Sequence, residues 1–463
     1  MDWTPLVEDL PREHAFEPLE LEGRLPDGLS GTLLRVGPGL FEPFGRRYGH
    51  LFDGDGALSA VRFSQGRAYG CARVVENRGL LAERQAGKPL YYAFGTPRSG
   101  FPRSLRPKNA ANTSVLYWDD RLFALFEAGL PTEFRCDDDL RTVGENNLGG
   151  VVRGTFSAHP HYAPSRAAMY NFGLRVRPWG SSVDLYELKD AGGARRIGNV
   201  PMPGAAFMHD FIVTGRHAVF FNSPLRVSCW RYFLRSKSLA ENLVWRSQEG
   251  VSVVVVPLDE PEKAFRFETE PFMQLHFANA FERPGEIVVD FVRYPGFEDV
   301  MRLTNQLMRR EALAPPLSRL CRARIDLARR RMSCEESWSR DCEFPVVAGR
   351  GQTADCGHVY LVAAAPGDDT NFSTRLVKFS AATGKAAEFE FGSRCYPSEA
   401  MFVPRPGGVA EDEGYLLSLV FDAARGASFM AVLDARDIER GALAKAWFDH
   451  RVPMTFHGAW RPD

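Results

Sequence analysis

Apolar and β-branched positions recur along this chain in short runs, and turn chemistry closes each one. Gly31 to Val36 runs into Gly37-Pro38-Gly39, Ala57 to Phe63 is followed by Gln65-Gly66, and Ser114 to Trp118 meets Asp119-Asp120. Comparable runs lie at Arg121 to Glu127, Ala168 to Phe172, Phe211 to Val213, Ala218 to Phe221, Ile287 to Val292, His358 to Ala363, Tyr415 to Phe421 and Phe429 to Leu433. The run Val251 to Val256, ended by Pro257, predicts a buried strand. Small strands spread through the whole length, with few long helical periods between them, predict an all-β propeller or large barrel rather than a doubly wound sheet. No residue repeat is visible, so a propeller requires blades that have diverged in sequence.

Two stretches break the pattern. Gly296 to Arg331 has a helical composition and a basic face, Met308-Arg309-Arg310 and Ala328-Arg329-Arg330-Arg331, interrupted at Pro315-Pro316; it predicts a helical insertion over 296–331. Pro224 to Arg246 interleaves Leu225, Val227, Trp230, Tyr232, Phe233, Leu234, Leu239, Leu243, Val244 and Trp245 with Arg226, Arg231, Arg235, Lys237 and Arg246. Rings at head-group depth and cations against anionic lipid would suit a membrane-docking segment over 224–246. An amphipathic packing helix fits the same pattern.

Composition narrows the function. The chain has 463 residues, 44% hydrophobic and 25% charged, values of a globular protein able to bury a large core. A net charge of −1 supplies no basic field for a nucleic-acid backbone. No apolar run approaches the roughly 18–20 residues of a spanning helix. The start, Met1-Asp2-Trp3-Thr4-Pro5, lacks the basic and apolar regions of a signal peptide, so a cytoplasmic location is expected, with peripheral membrane contact if the docking segment holds. Eight cysteines without a Cys-x-x-Cys pair read as reduced thiols. Nothing in the pattern calls for a protein partner.

Of ten histidines, four stand in apolar or aromatic settings at strand boundaries: Ala158-His159-Pro160, Met208-His209-Asp210, Leu275-His276-Phe277 and Phe456-His457-Gly458. Each alone has the setting of a hydrogen-bonded core histidine. Their wide separation would place them on different blades of a propeller, whose inner strands meet at the axis. Four imidazoles there would form an all-nitrogen site suited to Fe, Zn, Cu or Ni.

The chain resembles the carotenoid cleavage oxygenases, a family that includes apocarotenoid and stilbene-cleaving oxygenases and the retinoid isomerohydrolase. The matching blocks are Leu33 to Gly39, His50-Leu51-Phe52-Asp53-Gly54-Asp55-Gly56, Asn112-Thr113, the four histidine motifs, Glu343-Phe344-Pro345 and Pro397-Ser398-Glu399, in order over nearly the whole chain. The resemblance implies one domain over 1–463, a seven-bladed β-propeller with a loop and helix cap. It also implies Fe(II) held by His159, His209, His276 and His457. It assigns Glu127, Glu343 and Glu399 to the outer ring nitrogens of His209, His276 and His457, where a carboxylate fixes the tautomer and raises ligand basicity. Thr113 matches a residue whose methyl crowds a coordination position, and Phe52, Phe94, Phe126, Phe207 and Phe456 match an aromatic tunnel wall.

Within the family, stilbene cleavers carry a lysine where this chain has Phe126, and the isomerohydrolase carries a Pro-Asp-Pro-Cys loop where this chain reads Pro97 to Arg103 without cysteine. The expected activity is therefore oxidative cleavage of one C=C bond of a carotenoid or apocarotenoid by O2, giving carbonyl products such as retinal. Isomerisation or stilbene-type cleavage on the same iron, or polyene binding without turnover, are the alternatives.

Overall fold

Seven antiparallel sheets follow one another along the chain in the computed structural model, which describes residues 2–91, 93–96, 107–177, 180–228, 238–314, 317–366 and 372–463. Blades two, three, five and six each form from consecutive strands, and blade four does so apart from a two-stranded ribbon inserted between its second and third strands. They begin at Ser114–Trp118, His161–Ala163, Ile212–Val213, Met273–Arg283 and Cys342–Val346, and each of these first strands is an edge of its sheet. Blades one and seven close the ring. Blade one, built on Gly31–Leu40, takes the C-terminal strand Gly458–Pro462, and blade seven, built on Gly414–Asp422, takes the N-terminal strand Glu20–Gly23 against Ala442–Trp447. Each end of the chain thus completes a sheet begun by the other.

The apolar runs follow from this geometry, because both faces of a blade are covered and successive side chains serve opposite neighbours. Leu33 packs toward blade seven and Leu34 toward blade two. In the strand Val251–Pro257, Val253 and Val255 pack toward blade five while Val254 and Val256 pack toward blade three. The core is therefore a set of wedges between blades.

Two helices stand among the described residues: α1 (Arg78–Ala86), capped by the Asn77 side chain and ended by left-handed Gly87, and α2 (Phe297–Arg309). The helical reading of 296–331 holds only for α2. Arg319–Asp326 and Arg331–Trp338 are outer strands of blade five. Leu320, Cys321, Ala323 and Ile325 are buried there, while Arg322 pairs with Asp290 at 2.7 Å and Arg324 with Glu286 at 3.3 Å. The arginines are the outward row of a strand, and Ala328-Arg329-Arg330 is the turn between the two. α2 packs Phe297 and Val300 against Phe94, Leu225 and Tyr294, and Leu307 against Trp3, Leu6 and Phe456.

The stretch 224–246 is a ribbon in its described parts, Leu225–Val227 pairing with Leu243–Trp245. Arg226 is buried and ion-paired with Glu249 at 2.9 Å, so it is not a head-group cation, and Arg246 bonds the same carboxylate. Residues 229–237, which carry Arg231, Arg235 and Lys237, lie outside the described residues, as does the Pro97 to Arg103 departure. No helix among the described residues is long and apolar enough to cross a membrane.

Candidate metal centre

Each blade sends one ionisable side chain to a common point. His159 precedes the first strand of blade three, His209 that of blade four, and His276 sits within that of blade five; His457 precedes the closing strand of blade one. Glu127 follows Arg121–Leu125 of blade two, Glu343 lies in the first strand of blade six, and Glu399 lies between Cys395–Pro397 and Met401–Pro404 of blade seven. Residues up to 330 positions apart meet because inner edges, not neighbours in sequence, define the axis. At His276 the strand breaks register with its partner, an irregularity that re-aims a side chain.

The four Nε2 atoms face one another. His159 and His209 are 2.9 Å apart, His209 and His276 3.3 Å, and His276 and His457 3.1 Å, and all four lie within 4.8 Å. Three Nδ1–H groups donate outward: His209 to Glu127 at 2.5 Å, His276 to Glu343 at 2.6 Å and His457 to Glu399 at 2.7 Å. With Nδ1 protonated, each of these neutral rings turns an Nε2 lone pair inward. Converging lone pairs repel unless a cation lies between them. Adjacent imidazoles on a metal at about 2.0–2.1 Å stand about 3 Å apart, so the donor set fits a transition-metal ion.

The electrostatics favour neutral rings at His159 and His457 and charged carboxylates behind the cluster. Burial, reinforced by the three other rings, drives His159 well below the usual histidine range, and burial lowers His457 against the pull of Glu399. For His276 burial also works downward, but the Glu343 charge overrides it and raises the group. Burial pushes Glu127, Glu343 and Glu399 upward, and their histidine partners outweigh it, so all three stay below the ordinary carboxylate range.

Beside the nitrogens lies a cavity of about 280 Å³, near the lower end of ligand sites at roughly 300–1,000 Å³. Thr113, Phe52, Phe94, Phe126, Phe207 and Phe456 all line it, and α2 forms one wall through Phe297, Val300 and Thr304. The rings form a continuous row, Phe456 to Phe52 at 5.9 Å, Phe52 to Phe94 at 5.5 Å, Phe94 to Phe207 at 6.1 Å and Phe207 to Phe297 at 6.4 Å. The Thr113 hydroxyl donates to Asn112 Oδ1 at 3.1 Å, which leaves its methyl as the unengaged end.

Several contributors were assigned no role by the motifs. Tyr294 donates to Glu343, the Phe344 ring stacks on His276 at 5.4 Å, and Asp53 accepts the Phe94 N–H at 2.6 Å, fixing the turn that carries that ring. Arg35 reaches Glu399 at 3.3 Å. Asp53, Phe344 and Arg35 lie inside the matching blocks, and Arg35 left a further signal, a lone charge inside Leu33-Leu34-Arg35-Val36, since a charge in a buried strand needs partners.

The family model described as retinal pigment epithelial membrane protein matches residues 7–462. Apocarotenoid-15,15'-oxygenase of Synechocystis is 33% identical, the alignment covering 99% of this chain and 96% of that protein. A probable chloroplastic carotenoid cleavage dioxygenase 4 of Arabidopsis thaliana is 29% identical, covering 99% of this chain and 79% of its own. The crystal structure of the cobalt-substituted Synechocystis enzyme superposes with a TM-score of 0.91 at 31% identity, over 100% of this chain and 98% of that one. Seven blades, four converging histidines and a match over nearly the full length agree: the chain belongs to the family of the retinal pigment epithelial membrane protein and the carotenoid cleavage oxygenases.

Proposed function

We propose that this protein is an iron-dependent dioxygenase that cleaves one C=C bond of a carotenoid or apocarotenoid, adding one oxygen atom of O2 to each carbon to give two carbonyl products. The observation that carries this reading is the convergence of four Nε2 atoms, three of them on rings held from behind by carboxylates, beside an aromatic cavity. The relatives' names point the same way, to apocarotenoid and carotenoid substrates.

His159, His209, His276 and His457 would hold the ion, and four neutral donors leave its charge unreduced by any directly bound carboxylate. Ferrous iron supplies the electron chemistry that lets dioxygen react with a closed-shell alkene. The chain's own residues do the rest. Glu127, Glu343 and Glu399 keep the Nδ1 protons in place, so each ring stays in one tautomer and orientation. The row of phenylalanines grips a conjugated chain by dispersion and stabilises developing positive charge on it. The Thr113 methyl narrows access beside the nitrogens. Among the described residues no lysine lines the cavity, so no amine is present to trap an aldehyde product.

A polyene dissolves in membrane, and peripheral contact through 224–246 from a cytoplasmic position completes the reading; Leu239 lines the cavity from within that stretch. Aerobic incubation of the Fe(II)-loaded protein with carotenoids, apocarotenoids, retinyl esters and resveratrol, followed by mass spectrometry under ¹⁸O2, tests it. Two labelled carbonyl fragments from a polyene are expected. Isomerised product without label, or turnover of resveratrol alone, overturns the assignment.

A further inference from the structure

Three of the four histidines have a glutamate on the ring, and His159 has none within ion-pair distance among the described residues. The segment that bears it is nevertheless tied down two residues later. His161 Nε2–H donates to Asp210 Oδ1 at 2.8 Å, and the same oxygen accepts the Phe211 N–H at 2.7 Å. Its partner oxygen, Oδ2, accepts the Phe277 N–H at 3.0 Å. Asp210 directly follows His209, and Phe277 directly follows His276. One carboxylate, only 2% exposed, thereby joins the ligand-bearing segments of blades three, four and five. Ser157 adds a weaker link of the same kind, accepting from the His159 N–H at 3.2 Å and donating to the His209 carbonyl at 3.4 Å.

The need for such a tie is physical. Each histidine sits at the inner end of a different sheet, and wedges of apolar side chains between blades resist sliding only weakly in direction, because they are non-directional contacts. Near His276 the strand has already lost register, and the Phe277 N–H donates to Asp210. A buried carboxylate accepting three donors from three sheets fixes their mutual spacing by directional, charge-assisted bonds.

We propose that Asp210 is a positioning residue of the metal centre, one that sets the relative placement of His159, His209 and His276 and acts on His159 through His161. The inference rests on the metal-binding reading above and deepens it. Asp210 touches neither the ion nor substrate. Outer partners of this type change metal affinity by about 10–100-fold when altered.

The test uses cobalt(II) as the probe, by chelator-competition titration and the ligand-field absorption of the bound ion, on the full chain. Asp210→Asn keeps the shape but surrenders an acceptor, so either the His161 or the Phe277 bond is lost. It is expected to weaken cobalt affinity on the order of 10–100-fold and to alter the absorption band. His161→Gln, at a part-exposed site, is expected to weaken affinity less, and the double variant to fall short of the sum of the two single effects, since His161 acts through Asp210. Folded variants with cobalt affinity within about twofold of the parent and an unchanged band overturn the proposal while leaving the family reading intact. If Asp210→Asn does not fold, the His161→Gln titration and band decide by the same criterion. Failure of the parent to bind cobalt overturns the metal-binding reading itself.

Discussion

Arg35 and Glu399 form a buried ion pair behind the four-histidine cluster. The guanidinium bonds the Glu399 carboxylate at 3.3 Å and its carbonyl at 3.1 Å, and also reaches the Phe456 carbonyl at 2.6 Å and Thr455 Oγ1 at 2.9 Å. Glu399 in turn holds His457. Charge from the first long strand is thus relayed to a histidine of the cluster more than 400 positions later, in the place where the two chain ends interlock. Replacing Arg35 by Met leaves the Glu399 charge and the Phe456 carbonyl buried without this donor. The expected loss is about 3–5 kcal/mol in urea unfolding of the metal-free protein. A cost below about 1 kcal/mol would show that the pair is not a structural anchor.

Glu343 carries more bonds than either of the other supporting acids, from His276, Tyr294 and the Phe344 N–H. Glu343→Gln keeps the shape and removes the charge that favours a donating Nδ1–H. Metal affinity should fall about 10–100-fold. His276→Ala should abolish both bound iron, read by colorimetric assay, and polyene cleavage. Cleavage retained without His276 would remove the four-nitrogen centre from the reaction.

His50 predicts a pH effect. Its ring is buried between Phe52 and Phe94, donates to Thr304 Oγ1 at 2.9 Å and accepts the Phe52 N–H at 3.2 Å, and burial lowers it from 6.5 to about 3. The folded ring stays neutral where the unfolded one takes a proton. Its contribution is therefore fully present above about pH 6.5 and is lost progressively as pH falls toward 3. In that window one proton gives a slope of about 1.4 kcal/mol per pH unit. Unfolding free energies of the parent should fall more steeply with acid than those of His50→Asn, and parallel curves would exclude the effect.

If the stretch 224–246 meets lipid, its cations supply part of the attraction, at roughly 1 kcal/mol for each one near an anionic surface. Arg226 and Arg246 are engaged by Glu249, which leaves the test to Arg231 and Arg235. Reversing both charges should lower binding to phosphatidylserine vesicles in a sedimentation assay and spare neutral vesicles. Equal partitioning of parent and variant would set the docking idea aside.

The all-β class was legible because strand-sized runs with turns need no long-range information, while the choice of a propeller over a barrel came from the resemblance. The blades' kinship was not, since Leu33 and Leu34 answer to different neighbours and each interface has its own shape. Arginine-rich composition misled at 319–331, where an outward strand row and a turn resemble a helix face when partners such as Asp290 are unseen. The four histidines could be named but not joined from spacing alone; the resemblance joined them. Asp210 and Tyr294 stayed hidden because their roles lie in contacts with backbone groups or distant carboxylates, which leave no pattern along the chain.

Gly95 supplies the last test, of the aromatic wall. A methyl group there would stand 2.3 Å from His50 Cβ and 2.8 Å from its Cγ, far inside van der Waals contact. His50 cannot easily retreat, because Thr304 and the rings of Phe52 and Phe94 enclose it. Asp53 holds the same turn from the other side, accepting the Gly95 N–H at 3.1 Å. Gly95→Ala should therefore displace the Phe94 ring and cost about 1–3 kcal/mol of stability. Since a shift of about 1 Å in a positioning group lowers turnover on the order of 100-fold, kcat/KM for the polyene should fall while bound iron is retained. Gly154→Ala, where a Cβ meets nothing within 4 Å, is the control and should leave both unchanged. Normal cleavage by Gly95→Ala would mean that the ring row beside the four nitrogens does not orient the substrate.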